Sequence, residues 1–215
     1  RHADLTSGAS ALNWDPTTAA TVIIGAPHEN LGLDAVTAVH RAAVASGRHA
    51  LAVLQGARLV VILSGELEST VPIPQAVLDA FSPDSRVVHG HTVGSLEDAP
   101  DSAAEALSGA AAVSGWPGAP RPVAAIDLLP ERVLGGDRAA AATLVERVVA
   151  PLRGVDPSVE TTLRAYLDSG GHVEACAREL YVHPNTVRYR LKRVSQITKF
   201  DPLNARDAFV LRIAL

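Results

Sequence analysis

The first 135 residues alternate short apolar runs with amphipathic stretches. Apolar runs bounded by glycine or proline indicate buried strands, and apolar residues three and four apart indicate helices. On this basis we predict strands at 19–24, 50–54, 59–63, 86–91 and 122–128, and helices at 33–45, 74–81 and 101–114. The link Gln55-Gly56-Ala57-Arg58 between two of these strands is typical of a hairpin. The order of the elements predicts an α+β fold, with helices on one face of an antiparallel sheet.

After Gly135-Gly136 the pattern is helical throughout. A helix is expected at 137–149, with Asp137 as its N-terminal cap. The proline- and glycine-rich stretch 151–157 is the predicted joint. Beyond it we predict helices at 158–169, 172–180, 184–198 and 204–215. The expected organisation is therefore an α+β domain at 1–135, a helix and linker at 136–157, and an all-α domain at 158–215.

The stretch from Ala177 to Leu191, A-R-E-L-Y-V-H-P-N-T-V-R-Y-R-L, has the features of a helix-turn-helix. Such a motif needs a small residue where its two helices approach, apolar residues that fix their angle, and a tight turn. Ala177 is the small residue, and Pro184 suits the first turn of the second helix because its missing N–H is not needed there. The apolar contacts are expected from Leu180, Val182, Val187 and Leu191.

The predicted helix 184–198 has one apolar side and one basic side. With successive residues placed about 100° apart, Val187, Leu191, Val194 and Thr198 form a narrow stripe that we expect to be buried. Residues 184–199 include five basic residues and no acidic one. A surface helix that only needed to be soluble would usually carry both signs of charge. The pattern therefore favours a helix that lies in the major groove of double-stranded DNA.

Six residues are candidates for DNA contact. The first two stand at the helix N-terminus, where exposed N–H groups favour phosphate. An outward-facing arginine could pair with guanine, and a lysine could neutralise phosphate, but the sequence leaves open which side chains contact bases. The candidates are Asn185, Thr186, Arg188, Tyr189, Lys192 and Arg193. Arg190 lies beside the buried stripe and could equally form a structural ion pair, while His183 is interpreted as a turn or capping residue.

The C-terminal region closely resembles the helix-turn-helix of the PucR/CdaR family of bacterial transcription regulators. The resemblance covers about 138–215 and rests on T-L-R-A-Y-L-D-S-G-G-H at 162–172 and, above all, on H-x-N-T-V-R-Y-R-L at 183–191. It implies a Fis-like DNA-binding domain. We expect a homodimer, because paired recognition helices read half-sites about one helical turn apart. The sequence leaves open whether a small-molecule effector binds. Two positions depart from the family pattern: Lys199 replaces a common glycine, and Cys176 replaces a common threonine.

Residues 18–128 resemble the degenerate GGDEF-like domain that precedes this helix-turn-helix in many family members. The resemblance implies a ferredoxin-like or GGDEF-like antiparallel sheet with helices. Active diguanylate cyclases carry carboxylates at the central hairpin and on the first strand, because hard divalent cations need oxygen ligands. The hairpin here, 54–59, has no carboxylate, and the first strand leads into Gly25-Ala26-Pro27. We therefore expect no catalytic residues and no enzymatic activity.

The histidines at 89 and 91 are the strongest candidates for a metal site. Two residues apart on a strand, they would face the same way. The sequence spacing identifies no third ligand, so we predict no metal site and no cofactor.

Composition and charge indicate the cell compartment in which the protein is expected to work. Residues 152–215 carry ten basic and seven acidic residues although the whole chain has a net charge of −4, so the N-terminal part is distinctly acidic. The single cysteine suits a reducing compartment, and no apolar run is long enough to span a bilayer. We expect a cytoplasmic protein with no membrane partner. The chain contains no methionine, which indicates a processed chain or a piece of a longer one.

Two hypotheses follow. The first is a transcription regulator that binds DNA through its C-terminal helix-turn-helix and has a catalytically inactive GGDEF-like domain for regulation or dimerisation. The second is a small-molecule-binding or nucleotide-binding domain with a helical tail for protein interaction. The basic side of helix 184–198 argues for the first.

Overall fold

The computed structural model describes residues 14–67 and 72–215. They divide into two compact units that meet in sequence between Arg132 and Val133. The strands of the first unit are β1 (Ala20–Gly25), β2 (Ala50–Gln55), β3 (Arg58–Ser64), β4 (Val88–His89) and β5 (Val123–Ala124). Its helices are α1 (Asp34–Ala45), α2 (Gln75–Leu78) and α3 (Ala99–Ala112), and α4 (Leu129–Leu134) contains the boundary between the units.

The five strands form one sheet in the order β2-β3-β1-β4-β5. The predicted hairpin is present, with Gln55 opposite Arg58, and β3 and β4 both pair antiparallel with β1. The last pair differs from the prediction of a fully antiparallel sheet, because β5 runs parallel to β4. The chain passes through α3 between these two strands, and a helical crossover of this length lets the second strand enter in the same direction as the first.

Helices cover both faces of the sheet, so the expectation of helices on one face was wrong. On one face, Ile23 and Val61 pack with Ala35 and Val39 of α1. On the other, Val22 and Ile24 pack with the helix α3. The reason is visible in β1, whose six residues are all buried. A strand covered on both sides forms a continuous apolar run, whereas a half-exposed strand alternates with polar residues.

Strands β4 and β5 are shorter than the sequence predicted. Strand β4 ends at His89, and the next residue, Gly90, lies directly against the backbone of Ser102 in α3. Strand β5 ends at Ala124, where the chain tightens into a 3₁₀ turn over Ala125–Leu128. The fold class itself, an α+β domain followed by an all-α domain, is confirmed.

The second unit contains only helices. They are α5 (Arg138–Leu144), a π-helical segment (Val145–Val149), α6 (Ala150–Arg153), α7 (Pro157–Asp168), α8 (Val173–Glu179), α9 (Pro184–Thr198) and α10 (Ala205–Ala214). The predicted cap is confirmed, since the Asp137 carboxylate accepts hydrogen bonds from the backbone N–H groups of Ala139 and Ala140. None of the described helices is both long enough and apolar enough to cross a membrane.

The joint predicted at 151–157 begins at Gly154 in the structure, three residues later than expected. Pro151 lies inside a helix, and the chain leaves it only at Gly154. In a regular α-helix the proline ring would clash with the carbonyl four residues earlier. The π-helical segment Val145–Val149 lies immediately before the proline and replaces the regular hydrogen-bond pattern at this point. The helix therefore continues where the sequence predicts its end.

Gly90 provides a test of the sheet–helix packing in the first unit. A Cβ added at Gly90 would overlap the Ser102 carbonyl, which is backbone and cannot swing aside. We expect Gly90→Ala to lower the free energy of unfolding by about 2–3 kcal/mol, as overpacking does elsewhere. Both tryptophans, Trp14 and Trp116, belong to this unit, so tryptophan fluorescence in a urea titration measures it selectively.

Gly94→Ala is the matched control for this prediction. A Cβ at Gly94 would meet no atom within 4 Å, so its midpoint should stay close to that of the unchanged chain. Equal midpoints for the two variants would contradict the close packing of α3 at Gly90.

Candidate nucleic-acid interface

Helix α9 begins at Pro184, as predicted. The ring Nδ1 of His183 accepts a hydrogen bond of 3.1 Å from the backbone N–H of Asn185, so the interpretation of His183 as a capping residue is confirmed. The cap satisfies one of the N–H groups that a helix leaves free at its start. The helix ends at Thr198.

The predicted apolar stripe holds α9 in place. Val187, Leu191, Val194 and Thr198 are all buried, and α9 packs against α7 and α8. Ala177 of α8 is also buried, as expected for the close approach of two helices. The stripe fixes the rotation of α9 about its own axis and therefore decides which of its side chains face outward.

Arg190 is tied to the helical core. Its Nη1 donates a hydrogen bond of 3.1 Å to the Thr162 Oγ1 in α7. Asp156, which caps α7, lies near its charge. The pKa of Asp156 lies below its usual range, chiefly because the carboxylate accepts hydrogen bonds from Ser158 and to a smaller extent because of Arg190. Arg190 therefore has a structural role, one of the two possibilities that the sequence left open.

The outward side of α9 brings the six predicted candidates together. Asn185, Arg188, Tyr189, Lys192 and Arg193 are exposed, and Thr186 is half-buried. Thr186, Tyr189 and Arg193 line a shallow groove beside the start of α7. Three positive charges and an exposed aromatic ring thus share one side of a single helix, a surface suited to a polyanion.

Two acceptors hold the guanidinium of Arg188. Its Nη1 donates to the Asn185 Oδ1 at 3.3 Å, and its Nη2 donates to the Glu174 Oε1 at 3.0 Å. Glu174 lies in the first turn of α8 and escaped the sequence analysis, because no spacing rule connects residues fourteen positions apart on different helices. Nearby, the Arg193 Nη1 donates to the Gln196 Oε1 at 3.3 Å.

Tyr181 in the turn between α8 and α9 was also missed. Its φ is 53°, in the left-handed region where glycine is favoured, and the residue is 95% exposed. The tight turn it makes lets the Val182 N–H donate to the Ala177 carbonyl at 3.0 Å. No local signal in the sequence marks this backbone, because a bulky side chain seldom adopts a positive φ.

Comparison with known families agrees with this geometry. A family model of the PucR C-terminal helix-turn-helix domain matches residues 160–215, and a family model of the GGDEF-like domain matches residues 1–112. The chain belongs to the PucR/CdaR family of bacterial transcription regulators.

Relatives of this PucR/CdaR chain include a solved structure. A regulator of polyketide synthase expression from Bifidobacterium adolescentis is 31% identical, with a TM-score of 0.82, over 98% of this chain and 84% of that one. An uncharacterized protein of Mycobacterium tuberculosis is 49% identical over 98% of this chain and 53% of its own length. The DNA-binding transcriptional activator AdeR of Bacillus subtilis is 36% identical over 50 residues, which are 23% of this chain and 12% of AdeR. The chain therefore spans about half the length of the Mycobacterium tuberculosis protein.

The GGDEF-like domain of this PucR/CdaR chain has the hairpin at which active cyclases bind metal. Gly25, at the end of β1, lies opposite Leu59 beside the hairpin turn. Neither the turn residues Gln55–Arg58 nor the stretch 25–27 contains a carboxylate. The carboxylate ligands that active cyclases carry at these two places are thus absent from these two segments.

The two histidines considered for metal binding have other contacts. The Nδ1 of His89 lies 2.9 Å from the Gly90 carbonyl oxygen. The Nδ1 of His91 lies 2.8 Å from a carboxylate oxygen of Glu105 in α3. Across residues 14–67 and 72–215, no three histidine, cysteine, aspartate or glutamate side chains converge as metal ligands.

Lys199 adopts the left-handed backbone conformation that would suit the glycine common at this position in the family. Its φ of 66° is left-handed, and its N–H donates to the Ser195 carbonyl, which ends α9 in the usual way. The departure noted in the sequence therefore changes the side chain and leaves the helix end intact.

A left-handed lysine should carry a measurable strain. We expect Lys199→Gly to raise the free energy of unfolding of the helical unit by about 0.5–1 kcal/mol, the relief of Cβ strain less the greater flexibility of an unfolded glycine. Thermal unfolding followed by far-ultraviolet circular dichroism measures it. Lys199→Ala is the control, because alanine loses the same side chain and keeps the Cβ. A gain from alanine equal to that from glycine would show that the lysine side chain, and not the backbone, causes the strain.

Proposed function

We propose that this protein is a transcription regulator that binds double-stranded DNA through α9, with the helix lying in the major groove. The observation that carries the proposal is the outward side of α9. Its charged side chains there, Arg188, Lys192 and Arg193, are all basic, while the opposite side is buried against α7 and α8. A major groove admits one α-helix, and its phosphates favour such a charge pattern.

In this proposal, five of the six residues contact the DNA backbone and one contacts a base. Asn185 and Thr186, at the start of α9, contact phosphate through the amide and hydroxyl groups of their side chains. Lys192 and Arg193 neutralise phosphates and Tyr189 packs against the sugar-phosphate backbone, while Arg188 contacts a base edge. The DNA-binding part extends over about 158–215, and Val187 and its buried neighbours serve only to hold the surface in position.

The protein acts as a homodimer in this proposal. One helix of fifteen residues reads only a few base pairs, and paired recognition helices read half-sites about 34–36 Å apart. The GGDEF-like domain serves regulation or dimerisation and has no cyclase activity, which the missing carboxylates at 25–27 and 55–58 support. A small-molecule effector would act through this domain or through a further part of the protein.

Titration of labelled duplex DNA with the full chain across a salt series tests the proposal. The duplex would contain the region upstream of the protein's own gene, with an unrelated duplex of equal length as the control. Affinity should fall by about 0.9 log unit per log unit of salt for each phosphate neutralised. Tighter binding to the upstream region than to the control would identify a specific regulator. A folded chain that binds neither duplex at low salt would contradict the proposal.

A double variant tests the assignment of the surface. Arg188→Ala with Lys192→Ala should lower affinity by about 100-fold or more, because two charged contacts are lost. Both side chains are exposed, so the melting temperature should stay the same. Arg147→Ala with Arg153→Ala removes the same charge from exposed positions of the helix before α7 and should leave affinity nearly unchanged. Equal losses for the two double variants would mean that net charge, and not α9, determines binding.

A further inference from the structure

We infer that Glu174 is a positioning residue that orients Arg188 toward one base pair of each half-site, and so contributes to sequence preference. The inference rests on the proposed function. It assigns a role to an acidic side chain that borders the basic surface of α9 and contacts it directly.

The contacts of Arg188 restrain the plane of its guanidinium. Asn185, on the same helix, accepts from Nη1, and Glu174, on the neighbouring helix, accepts from Nη2. Two acceptors on two different elements fix both terminal nitrogens of a planar group. An arginine has five N–H donors, so three remain for a ligand. A bidentate contact with the O6 and N7 of guanine needs two of them in a defined plane.

Stability of the fold does not explain the ion pair. The side chains of Arg188 and Glu174 are 53% and 68% exposed, and exposed ion pairs contribute little to stability. A carboxylate beside a DNA-binding surface also repels phosphate. An acidic residue in this place therefore lowers general affinity for DNA, and the compensating gain is a side chain that is ordered before it binds.

Orientation and simple repulsion predict different results for two substitutions. Glutamine keeps an oxygen that can accept from Arg188 but has no charge, whereas alanine has neither. If Glu174 orients Arg188, Glu174→Gln should keep most of the base preference and Glu174→Ala should lose it. If Glu174 only repels phosphate, the two variants should behave alike.

The experiment is a selection of bound sequences from a random duplex library with the full 215-residue chain. We expect Glu174→Ala to reduce the preference at one base pair of each half-site by ~5-fold or more, the lower end of what a bidentate arginine–guanine contact contributes. Preference at the other positions should be unchanged. Glu174→Gln should lose less than half as much preference at that base pair, measured on a logarithmic scale.

Glu160→Ala is the matched control. Glu160 forms an ion pair of 2.9 Å with Arg164 within α7, so its removal changes the net charge by the same amount without touching α9. Its preference profile should equal that of the unchanged chain. Melting temperatures of all variants should agree, because the substituted carboxylates are partly or largely exposed.

Two results would overturn the inference while leaving the proposed function standing. One is an unchanged profile for Glu174→Ala. The other is a uniform gain in affinity for every sequence, shared by the alanine and glutamine variants. Absence of DNA binding by the unchanged chain would instead overturn the proposed function and, with it, this inference.

Discussion

The packing of one narrow apolar stripe determines the geometry of the helical unit. Val187, Leu191 and Val194 are almost completely buried, and full burial of an aliphatic side chain contributes about 2 kcal/mol. Because the stripe is narrow, only one rotation of α9 buries all of it. The small side chain of Ala177 lets α8 lie close enough to enforce that rotation. The basic residues on the opposite side of α9 acquire their common direction from this packing.

The two units differ in the places where packing constrains the backbone. In the first, helices cover both faces of the buried strand β1, and glycines let α3 approach the strands closely. In the second, tight turns between short helices matter most, and Tyr181 and Lys199 adopt left-handed backbone that glycine would adopt with less strain. The turn geometry is therefore imposed by the packing of the helices, which overrides the local preference of these two residues.

Local patterns in the sequence predicted the helical unit well and the sheet less completely. The bounds of α9 follow from Pro184 and from the break after Thr198, and its buried residues follow from their spacing, both of which are local. The parallel pairing of β4 with β5 and the helices on both faces depend on contacts between distant segments, which no local pattern contains. The same limit applies to the surface. The exposed residues of α9 were predictable, whereas the contact of Arg188 with Glu174 exists only because two helices meet.

The π-helical segment before Pro151 has a consequence for the register of the helix 138–153. Leu144, Val148 and Leu152 are buried and stand four residues apart. In a regular α-helix each step of four residues overshoots a full turn by about 40°, so the third side chain would be rotated well away from the first. A π turn accommodates one residue more, which cancels much of this drift and keeps the three side chains in line. The segment is equivalent to a one-residue insertion absorbed by the helix, and the sequence on either side of it belongs to two different helical phases.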